Sequence, residues 1–420
     1  MEEIVKRILT KSALTVLFAS ALSASPFFSG YTGFLAEVQN KQTSKTWSPE
    51  LGSEAFFSGQ LEFDGNFFIR GEFYVNARDI FREDVFSVSE DNSNAKFRIE
   101  EISATYVFPL SSATHYLSAY RGNFEPAGSD IFLQRQFGIS PINSKLTESF
   151  HGIEGNSVYP SYVWGAAYTI HTLEDNVIKV SLFKDTVAQD NSSHNFDTAN
   201  LDVRFASLFS QAVIDVMGGF SVPLEDRTLD GEEIDKTMTA LNGHGAASVL
   251  LGNTNRISFF SQVGLEKLVF IKGHTSEDRD ISWNDIYLLA EPRVNTQYFT
   301  TALSIFNFPT ESAQNMLYLS SVTKYAPETE SVYGFDLDVF SDHLYVKTTK
   351  LTAGAHLIGA YVNATPGNIE HADMKVILAP YTKIMVSGGE LIASATVNFS
   401  ELHKHAEKFY GVNFGFKTRF

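Results

Sequence analysis

Few side chains of this sequence stand in an arrangement that could carry out catalysis. The 420 residues include no cysteine, so the chain has no thiolate nucleophile and no disulfide. His403 and His405 flank Lys404 and could bind a metal weakly, but no third ligand follows them at a metal-site spacing. The surroundings of His171 hold no arrangement of serine and aspartate that suggests a hydrolase. We therefore predict no enzyme, no metal site and no cofactor.

Alternating side chains indicate that β-strands position the remaining polar residues. Ile69 and Phe73 share one face of an extended chain and Arg70 lies on the other, because successive strand side chains point to opposite sides. The dipeptide Asp64-Gly65 before them is a strong signal for a two-residue hairpin. No apolar run reaches eighteen residues, which excludes a membrane protein built of helices. The segments with this alternation include 57–64, 67–76, 200–205, 256–263, 333–339 and 390–399.

The final strand carries the clearest pattern, since nearly every second residue back from the C-terminus is apolar. The other face of this strand carries small or polar residues such as Asn413 and Lys417. A chain that ends in this way resembles the outer-membrane β-barrel proteins of diderm bacteria, in which aromatic rings lie at the membrane boundary. The resemblance implies that the barrel-assembly machinery recognises this strand. The residues of this assembly signal are Tyr410, Val412, Phe414, Phe416 and Phe420.

The N-terminal residues predict export. Lys6, Arg7 and Lys11 precede a short apolar run and small residues, which is typical of a cleaved secretory signal. We predict a signal peptide over residues 1–24, followed by one β-barrel domain over residues 25–420 in the bacterial outer membrane; the alternative is a buried N-terminal helix. Residues 1–24 carry three basic and two acidic side chains, so the net charge of -17 becomes -18 without them. This acidity argues against nucleic acid as a partner.

The connections between the predicted strands alternate between long and short. Long loops at one end and tight turns at the other are typical of up-and-down outer-membrane barrels, whereas a Greek-key sandwich has no reason to maintain the alternation. We predict an all-β, transmembrane, antiparallel up-and-down barrel with an even number of strands, about 16–20. The predicted long extracellular loops are 41–53, 79–94, 125–160, 185–198, 223–237 and 266–283.

The strand number favours a pore. A barrel of about sixteen or more strands is too wide for its side chains to fill, and polar inward faces would hold water. We therefore predict a porin that lets small hydrophilic solutes diffuse passively through a membrane whose lipid surrounds it. Two alternatives remain: a surface-exposed adhesin or antigen barrel, whose long loops are the functional surface, and a substrate-specific channel, for example for a sugar.

The general porin family, which the chain resembles, implies where such a pore is narrowed. In that family the third extracellular loop folds into the barrel, its acidic groups face a basic patch on the wall, and homotrimers are common. The third long connection here, 125–160, is also the longest. A similar constriction would select solutes by charge; alternatively, the loop projects outwards and the basic residues pair with neighbours. The loop candidates are Glu125, Asp130, Glu148 and Glu154, beside Arg135 and Lys145, and the wall candidates are Arg78, Lys96, Arg98 and Arg121.

Overall fold

A computed structural model gives the fold of the chain. No helix among the described residues is long and apolar enough to cross a membrane. The predicted signal peptide, residues 1–24, lies outside the described part of the chain, so its cleavage stays a prediction. The described residues are 27–43, 46–63, 65–77, 95–139, 144–148, 158, 162–188, 195–224, 227–229, 232–234, 242–269, 283–314, 316–319, 331–346, 348–362, 374–400 and 410–420.

Eighteen antiparallel strands form one closed sheet, in which each strand pairs with its neighbours in chain order and β1 pairs with both β2 and β20. This confirms the predicted up-and-down barrel and its even strand number. Two further strands, β10 and β11, form a separate hairpin. The strands are β1 (Phe27–Thr43), β2 (Thr46–Phe63), β3 (Phe67–Ala77), β4 (Ala95–Leu110), β5 (Ala113–Gly122), β6 (Val163–Thr172), β7 (Asn176–Ala188), β8 (Asn195–Phe209), β9 (Ala212–Pro223), β10 (Arg227–Leu229), β11 (Glu232–Ile234), β12 (Asn242–Gly252), β13 (Ile257–Val269), β14 (Ile286–Asn295), β15 (Thr300–Pro309), β16 (Ser331–Val346), β17 (Thr349–Val362), β18 (Met374–Val386), β19 (Gly389–Asn398) and β20 (Tyr410–Arg419).

The connections differ from the predicted loops at several places. The predicted loop 41–53 is wrong, because β1 and β2 stay paired until Thr43 lies opposite Thr46. The alternation of apolar and polar residues breaks down over 41–50, so the sequence pattern does not reveal this extension of the strands. The loops predicted at 185–198 and 266–283 are shorter for the same reason, since the flanking strands extend into them. The loop 223–237 contains the β10–β11 hairpin, and 79–94 lies outside the described residues.

The outer face of the barrel is apolar. On the last strand, Val412 is 45% exposed and Phe414 is 48% exposed, whereas Asn413 between them is buried on the inner face. The ring of Phe420 stacks on that of Phe28 on β1, the neighbour of β20, and on that of Phe57 on β2, the next strand. The terminal aromatic residues therefore cover the seam where the barrel closes. Their role as an assembly signal stays a prediction.

The inner face is not polar throughout. On the β13–β18 side, inward residues such as Phe260, Phe306 and Ile358 are fully buried, and they pack against two connections that fold into the barrel. The expectation that polar inward faces hold water therefore does not apply on this side, because these connections exclude water from the wall. They contain two short helices, α1 (Ile131–Phe137) and α2 (Thr310–Gln314). A short 3-10 helix, Trp283–Asp285, precedes β14.

Candidate pore constriction

The connection between β5 and β6 turns into the barrel at its first residues. Gly122 has a φ of 104°, and any side chain there would collide with the carbonyl oxygen of Glu100 on β4. Only glycine adopts this conformation readily. The next residue, Asn123, donates its backbone N–H to that same carbonyl oxygen at 2.7 Å. The turn directs the chain away from the wall and towards the barrel axis.

Two basic wall residues hold the beginning of this connection. Lys179 on β7 donates through Nζ to Glu125 Oε2 at 2.8 Å. Arg204 on β8 donates through Nη1 to the backbone oxygen of Glu125 at 2.8 Å, and its Nε donates to Asp215 Oδ1 at 2.7 Å. The Arg204 guanidinium also lies 4.2 Å from the centre of the Phe132 ring on α1. Buried ion pairs that also satisfy backbone groups are costly to disrupt, so this end of the connection is firmly docked.

Further contacts carry the connection across the barrel. Gln262 on β13 donates through Nε2 to the backbone oxygen of Gly128 at 2.6 Å. Lys383 on β18 donates through Nζ to Glu148 Oε1 at 2.7 Å, and Lys145 donates to Glu148 Oε2 at 2.9 Å. The chain leaves the wall at β5 and reaches β18, so it divides the lumen. We define the inner loop as the described residues of 123–158 that make these contacts.

A second connection also folds into the barrel, which sequence reasoning missed. In the β15–β16 connection, Ser312 donates through Oγ to the backbone oxygen of Val158 at 2.9 Å. The ring centre of Tyr318 lies 4.4 Å from that of His356 on β17. Leu317 packs against an apolar wall cluster formed by Leu35, Phe56 and Ile392. Apolar residues such as Met316, Leu317 and Leu319 in a connection were a signal that it is not solvated.

Arg135 on α1 lies among three carboxylates. Its Nη2 is 2.7 Å from Glu101 Oε2 and 3.9 Å from Glu72 Oε1, and its Nη1 is 3.5 Å from Glu125 Oε1. Glu72 and Glu101 belong to the wall strands β3 and β4, and they lie opposite each other in register. A basic loop residue therefore faces an acidic part of the wall here, which is the reverse of the predicted polarity.

An opening remains on the other side of α1, against strands β1–β3. Its cavity has a volume of about 240 Å³. Arg70 donates through Nε to Gln60 Oε1 at 2.7 Å, and Ser58 donates to Glu72 Oε1 at 3.0 Å. The polar side chains that line the cavity are those of Ser29, Tyr31, Ser58, Gln60, Arg70, Glu72, Gln134 and Arg135. We call this cavity the aperture.

The structure places the predicted acidic residues as follows. Glu125 and Glu148 both meet basic wall residues, but these are Lys179 and Lys383 instead of the predicted basic group. Asp130 is buried and directly precedes α1 without a side-chain cap bond to it. Glu154 lies outside the described residues.

The predicted basic wall residues do not come together at the inner loop. Arg98 pairs with its neighbour Glu100 on β4 at 2.7 Å. Arg121 is corrected to the outer face, since its guanidinium lies 4.6 Å from the ring centre of Trp164, which is 60% exposed. Arg78 lies outside the described residues. Lys96 is the second residue of β4, and only its backbone is among the described parts of the chain.

No three histidine, aspartate or glutamate side chains are grouped to hold a metal ion in the described part of the chain. His403 and His405 lie outside it. The described residues of the inner loop instead form ion pairs and hydrogen bonds with the wall. The arrangement is suited to fixing a constriction and setting charges beside it.

The ion pairs that hold the inner loop against the wall are expected to persist at acidic pH. Burial opposes ionisation of Glu125, but Lys179 and Arg135 outweigh it and lower the pKa of this carboxyl to about 2. Burial likewise opposes ionisation of Glu148, and Lys145 with Lys383 outweigh it, so its pKa also lies below the usual range. A carboxyl whose pKa is lowered by folding stabilises the folded state above its unfolded pKa of about 4.3, and this contribution disappears as pH falls through the folded pKa.

We therefore expect the inner loop to stay docked between neutral pH and about pH 4, and a conductance change that depends on Lys179 to appear below about pH 3 as Glu125 is protonated. The measurement is conductance against pH in a planar bilayer at constant salt. In a Lys179→Met variant this conductance change should move to higher pH, because Glu125 loses the cation that lowers its pKa most. A low-pH transition that lies at the same pH in the wild type and in Lys179→Met would contradict this account, since it would not depend on the pair of Glu125 and Lys179.

Comparisons with known proteins agree with the barrel architecture. No protein-family model matches the chain, and no curated protein sequence matches it. Among solved structures, it is similar to OccAB3 of Acinetobacter baumannii, with 9% identity, a TM-score of 0.51, and coverage of 94% of this chain and 99% of that one. It is also similar to the outer membrane protein opdK of Pseudomonas aeruginosa, with 9% identity, a TM-score of 0.50 and the same coverage. At this identity the likeness shows the fold alone, which is a porin-like outer-membrane β-barrel.

Proposed function

We propose that this protein is a channel of the bacterial outer membrane through which small hydrophilic solutes diffuse passively. The observation that carries the proposal is the aperture, which lies inside the barrel beside the inner loop and is lined by charged and polar side chains. A closed barrel of eighteen strands has a lumen too wide for its wall residues alone to fill. The inner loop narrows this lumen and leaves a polar path against β1–β3.

The outer surface supports the membrane part of the proposal. Outward residues such as Leu182 and Ile305 are 62% and 48% exposed, which would be unfavourable in water over so many strands and is favourable against lipid acyl chains. Aromatic rings lie at the short-turn end, where Phe63 and Phe67 flank the turn between β2 and β3. Rings at this position suit a membrane boundary. Export by a cleaved signal, assembly machinery and a homotrimeric state remain parts of the proposal that need their own tests.

The proposed constriction combines predicted and unpredicted residues. Glu125 and Glu148 of the inner loop are held by Lys179 and Lys383 of the wall, and Arg135 faces the aperture. Arg135 stands with Arg70 and Glu72 beside a narrow aqueous gap, where their charges can select solutes. The small volume of the aperture favours a selective channel over a general one.

Reconstitution into a planar bilayer tests the proposal. Detergent-refolded protein with heat-modifiable mobility should give discrete, ohmic current steps in symmetrical KCl. Heat-denatured protein in the same detergent is the control for leakage. Folded, inserted protein that gives no steps would contradict a channel and would favour the adhesin or antigen alternative.

A further inference from the structure

We infer that the aperture is a binding site for a zwitterionic solute with an apolar side chain, which is the chemistry of an apolar α-amino acid. This inference rests on the proposed channel function and names the solute class of that channel. Three groups of different chemistry meet at the aperture: an incompletely paired carboxylate, an oriented guanidinium and the aromatic ring of Tyr31. Each matches one part of such a solute.

Glu72 supplies the site for the ammonium group. Its residue is 5% exposed, and Oε1 accepts a hydrogen bond from Ser58. Oε2 is buried and has no hydrogen-bond partner among the described residues, although the side chain lines the aperture. The closest described guanidinium, that of Arg135, lies 3.9 Å from Oε1, beyond hydrogen-bond distance. A buried carboxylate oxygen without a donor is unfavourable, so an ammonium donor would be held there.

Arg70 supplies the site for the carboxylate group. It lies two residues before Glu72 on β3, so both side chains point into the barrel on the same face. Its guanidinium is oriented by the bond from Nε to Gln60 and by the Phe68 ring, whose centre is 4.8 Å away. Residues two apart on a strand are about 6.6 Å apart. An α-amino acid carries its charges on adjacent carbons and can reach both side chains through hydrogen bonds of about 2.9 Å.

Tyr31 supplies the surface that would contact the apolar side chain of the solute. Tyr31 lines the aperture and also packs against the cluster of Leu35, Phe56 and Ile392. Leu317 of the second inward connection contacts the same cluster from inside the barrel. An apolar side chain that points from the charged pair towards Tyr31 would contact this ring at the edge of the cluster and lose part of its contact with water.

The pairing of the charges explains why a zwitterion is preferred over simple ions. A cation held at Glu72 lies next to Arg70, and an anion held at Arg70 lies next to Glu72. Each single charge therefore meets a repulsive neighbour, whereas a zwitterion satisfies both at once. The site discriminates through repulsion as well as attraction.

The test uses current block in planar bilayers by L-phenylalanine, phenethylamine, 3-phenylpropionate and glycine. Phenethylamine lacks the carboxylate, 3-phenylpropionate lacks the ammonium, and glycine lacks the apolar side chain. We expect L-phenylalanine to reduce the mean current with a half-blocking concentration at least about tenfold lower than that of each other probe, a ratio equal to about 1.4 kcal/mol.

Three variants assign the parts of the site. Glu72→Gln should weaken block by L-phenylalanine about tenfold and make 3-phenylpropionate the better blocker, whereas Arg70→Gln should favour phenethylamine. Tyr31→Ser removes the aromatic ring that lines the aperture and should reduce the difference between L-phenylalanine and glycine. Arg121→Gln is the matched control, because Arg121 lies on the outer face and its loss should leave block unchanged.

The open-channel current of each variant without probe reports whether the barrel has folded. If the channel conducts and the four probes block equally, the amino-acid site is wrong while the channel stands. If L-phenylalanine blocks but Glu72→Gln and Arg70→Gln leave its block unchanged, the site lies elsewhere and the inference fails. If folded protein gives no current, the proposed function itself fails.

Discussion

Replacing residues 128–157 with a short Gly-Ser linker is expected to raise single-channel conductance several-fold. The replaced segment contains Phe132, Leu133 and Leu146, which are fully or almost fully buried and occupy the lumen. An eighteen-strand barrel without this segment has an interior that its wall residues cannot close. The measurement is the step size of single channels in symmetrical KCl.

The structure indicates where to join the chain. The backbone N–H of Val158 donates to the carbonyl oxygen of Ala127 at 2.8 Å, so the two ends of the replaced segment already lie together. Glu125 stays in place and keeps its bond to Lys179. The matched control replaces 227–234, the β10–β11 hairpin, which forms a sheet separate from the barrel and should leave conductance unchanged. An unchanged step size in the first variant would mean that the inner loop does not narrow the ion path.

Substituting Arg135→Gln is expected to make the channel several-fold more permeable to K⁺ relative to Cl⁻. Arg135 is the described cation closest to both Glu72 and Glu101, and its side chain is 10% exposed. Its removal leaves Glu101 and the aperture-lining Glu72 without this guanidinium, and Glu125 keeps only its wall partners. Uncompensated negative charge at a narrow aqueous gap attracts cations. The measurement is the reversal potential across a KCl gradient.

The same substitution should also destabilise the barrel. Breaking a buried ion pair by removing one partner costs about 3–5 kcal/mol, which denaturant unfolding in detergent would detect. Arg135→Lys keeps the charge and should restore selectivity better than it restores stability, because an ammonium cannot reproduce the forked hydrogen bonds. Arg121→Gln removes the same charge from the outer face and serves as the control. Equal shifts of the reversal potential in Arg135→Gln and Arg121→Gln would show that ions do not pass Arg135.

The barrel could be predicted because its signals are local. Alternation of apolar and polar residues has a period of two along each strand, and hairpin signals such as Asp64-Gly65 mark the tight turns. These features need no knowledge of distant contacts, so the fold class and the even strand number followed from them. The predicted loop 41–53 was wrong because the pairing of β1 and β2 is made by backbone hydrogen bonds and continues where the side-chain alternation stops.

Whether an individual side chain points into or out of the barrel was harder to predict from the sequence. Arg121 was predicted on the inner wall, and it lies on the outer face with Trp164. On β5, Ser118 and Tyr120 point inwards while Leu117 points outwards, so both faces carry residues of mixed polarity near the long-loop end. A shift of one residue moves a side chain to the opposite face, and only the pairing register of the neighbouring strands resolves it.

The strand pattern, the apolar terminal strand and the third long connection as a candidate constriction could all be derived from the order of the residues. Which charges meet depends on how the strands close into the barrel. Glu125 pairs with Lys179, 54 residues away, and Glu148 pairs with Lys383, 235 residues away. No spacing in the sequence encodes such pairs, because closure of the barrel brings distant strands opposite one loop. The physical reason is that alternation depends on neighbouring residues, whereas the polarity of a constriction depends on the path of a loop through the closed barrel.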